Sequence, residues 1–370
     1  MGQDAPYRIL DKLPPQREKI ETIEILRETN KATAALSELK GIANTIPNQS
    51  MLVNAIVLQE AKGSSEIENI ITTQDDLYKA LTTNKSNISP ETKEVVNYRK
   101  AIFYGFDIIK KQGFLRVNDI IEIQHQLIGN NAGIRNMPGT VLKNDTTGEV
   151  VYTPPQDKNE ILDLMSNFIQ YFNQDQNEIS PLINLAVLHC QFESIHPFYD
   201  GNGRTGRILN ILYLILNDLI DIPILYLSSY IIENKPDYYR LLNQTNKNGE
   251  WEDWILFMLK AVETTSIQTI EKINAIRKLL DKTIEKVQTD APKIYKKELV
   301  ELLFEQPYSK IEFVVNKLNV ERKAASRYLK ELENIGVLES QKVGRETLYI
   351  NKKLIEVLKN KARSSNKSYM

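Results

Sequence analysis

Twelve consecutive residues carry most of the chemistry in this sequence: His196-Pro197-Phe198-Tyr199-Asp200-Gly201-Asn202-Gly203-Arg204-Thr205-Gly206-Arg207. They read as a short loop feeding a helix N-terminus. Gly201 and Gly203 let the backbone approach a ligand closely, and the free N–H groups of a helix start suit a phosphate. Arg204 and Arg207, three apart on the new helix, can face one polyphosphate. Asp200, just before the glycines, is placed to hold a divalent cation that bridges phosphate oxygens. His196 has the side chain whose ordinary pKa, about 6.5, suits taking a proton from a hydroxyl at neutral pH. No G-x-x-x-x-G-K-[ST] occurs and no strand precedes the loop, so it is neither a P-loop nor a Rossmann turn.

The pattern H-x-F-x-D-G-N-G-R-x-x-R resembles the signature of the Fic family at every fixed position. That resemblance implies transfer of AMP from ATP to a Ser, Thr or Tyr hydroxyl of a protein, with Mg²⁺ as cofactor and ATP as substrate. His196 would be the general base and Asp200 the Mg²⁺ ligand. Gly201, Asn202 and Gly203 would form the anion hole, Arg204 would hold the β-phosphate region and Arg207 the γ-phosphate. Thr205 and Gly206 fall within the same nucleotide-binding stretch. Tyr239, in the Tyr238-Tyr239 pair, corresponds to the adenine side, while Trp251 and Trp254 are read as core. Residues 139–153 (GTVLKNDTTGEVVYT) read as a β-hairpin around Asn144-Asp145-Thr146-Thr147-Gly148. By the same resemblance they are a flap that clamps the target by strand pairing.

Members of this family often carry an inhibitory helix with the pattern [S/T]-x-x-x-E-[G/N]. Ser64-Ser65-Glu66-Ile67-Glu68-Asn69 fits, and so does Ser229-Tyr230-Ile231-Ile232-Glu233-Asn234. The first is preferred, because Ile67, Ile70 and Ile71 give it an apolar edge and Gly63 frees its entry. The second runs into Lys235-Pro236, which ends a helix. Glu68 is then expected to pair with Arg207 and, with Ser64, to make an autoinhibitory site.

The elements that must position this loop are mostly helical. Residues 18–40 have helical apolar spacing ended by Gly41, and residues 51–61 form another helix interrupted at Gly63. Residues 182–193 lead into the loop, and an apolar helix leaves it over about 202–219. From Pro292 three short helices (297–305, 310–318, 321–335) precede a hairpin over 337–350 turning at Gly344, the pattern of a winged helix. The reading is a mainly α protein in four parts: an N-terminal regulatory region (1–90) that opens with an extended Pro-containing stretch, a Fic-type core with the flap (91–275), a helical linker (276–291), and a winged helix with a polar, basic tail (292–370).

The 370 residues are 42% hydrophobic and 26% charged, an ordinary globular balance that excludes wholesale disorder. With 47 Lys plus Arg against 48 Asp plus Glu, the formal net charge of −1 points to neither nucleic acid nor membrane for the whole molecule. No apolar run nears the ~20 residues of a membrane span and no signal peptide is visible, so a cytoplasmic location is expected. The single cysteine, Cys190, cannot form an internal disulfide. It reads as buried, and His125 and His189 read as structural. Residues 291–370 hold 17 Lys plus Arg against 10 Glu. Arg322, Lys323, Arg327 and Lys330, with Lys342 and Arg345 on the wing, can meet phosphates. DNA contact, protein docking and a homodimer all stay open for this segment. So do transfer of UMP, a phosphoryl or a phosphocholine group, and a DNA-binding regulator whose core acts mainly on itself.

Overall fold

The computed structural model describes residues 10–46, 48–83, 88–143, 148–174 and 178–359. The chain opening at 1–9, the hairpin centre at 144–147 and the tail beyond 359 lie outside the described residues. The architecture is mainly α, as expected.

The N-terminal helices are α1 (Arg17–Ile20), α2 (Ile23–Asn44), α3 (Gln49–Ile67) and α4 (Gln74–Thr82). Three features differ from the sequence reading. The first helix divides at Thr22, whose hydroxyl accepts from the Ile25 N–H and caps α2. Gly41 does not end α2, which runs on to Asn44. Gly63 does not interrupt α3 either. It stays helical because the ring of Tyr226 lies where a Cβ would be, 2.7 Å from that position. Packing thus offsets the ~1 kcal/mol that glycine costs within a helix.

The core continues with α5 (Pro90–Gln112) and α6 (Val117–Ile128), then the hairpin β1 (Leu142–Lys143) and β2 (Val150–Tyr152). The two strands pair antiparallel, with an irregular register between Leu142 and Lys143. Next come α7 (Lys158–Asn173), α8 (Pro181–Ile195), α9 (Asn202–Leu216), α10 (Ser228–Glu233) and α11 (Lys235–Asn248). Ser180 caps α8 and Pro181 takes its first position, a start that needs no N–H there. Beyond Pro181 every α8 residue is buried, which is why its apolar residues are spread round the helix rather than gathered in one stripe.

Helix α12 (Glu252–Asp290) is 39 residues, about 58 Å, and packs along α2. It passes without a break from the expected core through the expected linker. The C-terminal segment is α13 (Lys297–Glu305), β3 (Tyr308–Ser309), α14 (Ile311–Leu318), α15 (Arg322–Asn334), β4 (Glu339–Val343), β5 (Glu346–Ile350) and α16 (Lys352–Lys359). Three helices and a hairpin appear as the sequence predicts. A short third strand, not foreseen, completes an antiparallel sheet of order β3-β5-β4. Among the described residues no helix is long and apolar enough to cross a membrane.

Candidate active site

The loop between α8 and α9 is built by backbone strain and its compensation. His196 ends α8 in the left-handed region (φ 48°), which costs a non-glycine residue roughly 1–2 kcal/mol. Arg135 holds it there. Fully buried, Arg135 donates Nε to the His196 carbonyl at 2.8 Å and Nη2 to the Ile195 carbonyl at 3.3 Å and to the Pro155 carbonyl. Its own N–H donates to the Pro197 carbonyl at 2.9 Å. One side chain thus joins the end of α8 to the base of the flap. Tyr152 of β2 adds a second tie, its hydroxyl donating to the Ser194 carbonyl at 2.9 Å.

Gly201 starts α9 at φ 81°, where a Cβ would also strike Ile128 at 2.8 Å. Asn202 does not offer its side chain to a ligand. Its Oδ1 accepts from the Phe198 N–H and its Nδ2 donates to the Phe198 carbonyl, both at 2.8 Å, so it braces the loop from within. Gly206 faces α8, where a Cβ would meet Glu193 at 2.6 Å and Phe192 at 3.2 Å, and Thr205 is fully buried beside it. What remains at the helix start is backbone and two arginines.

Both arginines are buried and paired with carboxylates. Arg204 meets Glu94 of α5, and its Nη2 lies 3.3 Å from the Asp200 Oδ1. Arg207 donates Nε to the Ser64 hydroxyl at 2.7 Å and Nη2 to the Ser64 carbonyl at 2.9 Å. The same Nη2 donates to Glu68 Oε1 at 2.6 Å. Burial alone would raise the Glu68 pKa, but Arg207, with Arg204 and Lys235 adding, holds it below the ordinary carboxylate value. Glu68 Oε1 also presses on the Cα face of Gly203. A carboxylate therefore fills the space over the glycine backbone and the arginine.

The local reason lies at the end of α3. Asn69 adopts φ 61°, its N–H donates to the Glu66 carbonyl and that of Ile70 to the Ser65 carbonyl, each at 3.0 Å. This left-handed cap is what the Gly or Asn of the six-residue pattern supplies. Ile67 is buried as expected, whereas Ile71 is exposed and takes no part in an apolar edge.

His196 is half-buried, and its Nδ1 has no hydrogen-bond partner among the described residues. Desolvation, then Arg135, lower its pKa to about 4, so the ring is neutral at pH 7. Tyr239 is exposed and packs edge-on against Tyr238, with ring centroids 5.1 Å apart. Trp254 is core, its Nε1 donating to the Ala186 carbonyl at 2.8 Å. His189 is buried against Tyr238, Nε2 to hydroxyl 2.9 Å, and Cys190 is buried too. His125 lies within 2.7 Å of the Asn130 carbonyl, a structural contact.

Glu94, Arg135 and Glu193 are the site residues that sequence reasoning missed. Each lies far along the chain from its partner or within an apolar helix, and no local spacing marks it. Glu193 is buried near Arg207. Desolvation pushes its carboxyl up to about 7 against the pull of that arginine.

Among the described residues no three His, Cys, Asp or Glu cluster as a metal cage. Asp200 presents one exposed carboxylate. That donor set suits Mg²⁺, which commonly takes one or two carboxylates and leaves its other positions to phosphates and water.

The fold has counterparts among known proteins. The mainly α arrangement superposes on a Fic family protein from Desulfovibrio desulfuricans G20 (TM-score 0.57, 16% identity, 89% of this chain and 96% of that one). It also superposes on a Fic domain containing signaling protein from Bacteroides thetaiotaomicron VPI-5482 (TM-score 0.52, 18% identity, 66% and 95%). The fold is thus that of the Fic class. Sequence models then match residues 26–107 as Fic/DOC family N-terminal and 114–214 as Fic/DOC family. Residues 279–354 match as protein adenylyltransferase SoFic-like, C-terminal domain. The chain carries Fic/DOC family domains followed by a SoFic-like C-terminal domain. It is 28% identical over 180 residues to protein adenylyltransferase Fic of Nematostella vectensis (47% of this chain, 39% of that one). To protein adenylyltransferase fic-1 of Caenorhabditis elegans it is 24% identical over 178 residues (47% and 33%). It spans well under half the length of these relatives.

Proposed function

We propose that this protein transfers AMP from Mg·ATP to a Ser, Thr or Tyr hydroxyl of a target protein and that Glu68 restrains the reaction. The observation that carries the reading is the Glu68 carboxylate seated on Gly203 and Arg207. It supports an anion subsite at the α9 N-terminus, with His196 at the end of the preceding helix.

In the reaction, the target oxygen bonds to the α-phosphorus as the bond to the pyrophosphate oxygen breaks. The neutral His196 ring accepts the hydroxyl proton, a contribution of about 10²–10⁴ in rate. Backbone N–H groups at Gly201 to Gly203, already fixed at the helix start, and the two guanidinium groups, once released from their carboxylates, stabilise the phosphate charge. Asp200 would hold Mg²⁺, which when bound neutralises phosphate charge. Arg207 can take a terminal phosphate only when Glu68 leaves it. The flap, tied to α8 through Tyr152 and Arg135, would present the target segment.

Intact mass and peptide mapping after incubation with Mg·ATP test this on wild type, Glu68→Gly and Glu68→Gly/His196→Ala. An AMP adduct is expected on Glu68→Gly alone. Failure of Glu68→Gly to bind ATP overturns the phosphate-site reading, and an adduct that survives His196→Ala overturns the base.

A further inference from the structure

Among the described residues, the buried and half-buried lysines have an anionic neighbour, with one exception. Lys40 pairs with Asp221, Lys62 with Glu66, Lys79 with Asp75, Lys286 with Asp290 and Lys310 with Glu312. Lys235 donates to the Ile67 carbonyl with the Glu68 charge close by. The exception is Lys272 of α12. Its ammonium donates to Gln59 Oε1 at 2.7 Å and to the Leu358 carbonyl at 3.3 Å, and it lies 5.9 Å from the centre of the Tyr226 ring. These partners are all neutral, and an ammonium carries three N–H donors, so one is left over. Burial without a countercharge pulls the Lys272 pKa down to about 8.

Lys272 lines a cleft of about 850 Å³ walled by residues of α3, α4, α10, α12 and α16. That volume is in the range of pockets that hold cofactor-sized molecules. Leu77, Tyr226, Ile232 and Leu358 give the cleft apolar walls, and Gln74, Ser229, Gln268 and Thr269 interrupt them with polar groups. Lys62 and Lys359 add positive charge. Of the two acids that line it, Glu66 is engaged by Lys62 at 3.0 Å and Glu233 is exposed. The cleft is separate from the site at Arg207, because α3 turns different faces to the two. Gln59, Lys62 and Glu66 face the cleft. Glu60, Ser64 and Glu68 lie on the opposite side of the helix, where Glu60 accepts from the Ser228 N–H at 2.9 Å and the other two meet Arg207.

We propose that this cleft binds a small organic anion, its acidic group on the Lys272 ammonium and its apolar body against Tyr226, Ile232 and Leu358. A carboxylate, sulfonate or phosphate ester there supplies the countercharge that the described carboxylates do not, through a hydrogen bond roughly twice as strong as a neutral one. An inorganic ion would use the charge and leave the apolar walls wet, so the fitting ligand is amphipathic. None of the residues lining the cleft belongs to the site at Arg207, so the proposal stands independently of the transfer reaction.

The test is isothermal titration calorimetry of the full chain with anilinonaphthalenesulfonate, an aromatic body carrying one sulfonate, with circular dichroism confirming that variants stay folded. One saturable site per chain is expected. Lys272→Met should weaken binding about 10-fold or more. Gln268→Trp, which fills the cleft from the α12 wall and leaves the ammonium in place, should do the same and decides the matter if Lys272→Met does not fold. Lys260→Met, on the same helix outside the cleft, should leave affinity within about 2-fold. Phenylnaphthylamine, the same body without the sulfonate, should bind about 10-fold more weakly. Four results overturn the proposal: no saturable binding, wild-type affinity in either folded cleft variant, equal affinity for the uncharged amine, or complete displacement of the probe by Mg·ATP. The last would assign the probe to the site at Arg207 instead.

Discussion

The same six-residue pattern occurs twice in this chain, and the two copies end in different chemistry. Ser64 to Asn69 closes the long helix α3 with Asn69 left-handed, so that Ser64 and Glu68, one turn apart, both meet Arg207. Ser229 to Glu233 lie within the short α10 (Ser228–Glu233), and Asn234, between α10 and α11, has an ordinary φ of −123° because α11 begins at the next residue. There the Ser229 hydroxyl merely donates to the Tyr226 carbonyl at 2.8 Å. The pattern therefore encodes a helix end. Whether that end restrains anything depends on which arginine the tertiary fold brings to it. The second copy even serves the first, since Lys235 directly after it donates to the Ile67 carbonyl at 2.6 Å and caps α3.

The largest contrast should come from removing each glutamate. Glu68→Gly frees a buried arginine whose pairing is worth several kcal/mol, so AMP incorporation is expected to rise about 10²-fold. Glu233→Gly should change it less than about 2-fold, and equal effects would break the distinction drawn here. The serines come next. Ser64→Ala strands the buried Arg207 Nε at a cost of about 1–3 kcal/mol, with about a 10-fold rise in AMP incorporation and a lower Tm. Ser229→Ala should do neither. Smaller still, Asn69→Ala should cost about 1 kcal/mol in chemical denaturation, since alanine resists φ 61°, while Asn69→Gly and Asn234→Ala stay within a few tenths.

The pH dependence is the finest probe. The Glu68 pKa is lowered in the fold, so its pairing stabilises above the ordinary carboxylate range and is lost as pH falls through the lowered value. The Tm gap between wild type and Glu68→Gln should therefore be widest near neutrality and close in acid. A gap that stayed constant to pH 3 would place the stabilisation elsewhere.

What was legible in the sequence was local. The loop from His196 to Arg207 could be read because glycines, an acid and arginines at a helix start act through neighbouring backbone. The terminal helices and hairpin were legible because apolar periodicity is itself a local signal. Gly41 and Gly63 misled because glycine propensity is weak beside packing, as the Tyr226 ring against Gly63 demonstrates. The Asn202 side chain closes the loop on Phe198, a bracing role that the local pattern does not reveal. Arg135, Glu94 and Glu193 were invisible because their partners lie on other segments of the chain. Buried charges are matched by long-range contacts that leave no spacing to read.

The two ends of the Ser64/Glu68–Arg207 contact belong to one polypeptide, about 140 residues apart in sequence and 2.6 Å apart in space. In the proposed reading this makes Glu68 a tethered competitor whose effective concentration is set by the fold, not by the amount of protein. Dilution cannot relieve it, and a rival must outcompete a ligand that never diffuses away. A donor with a terminal phosphate meets that competition at Arg207, and one lacking that phosphate does not. The length of the phosphate chain, more than the identity of the base, is then what this arrangement can sense.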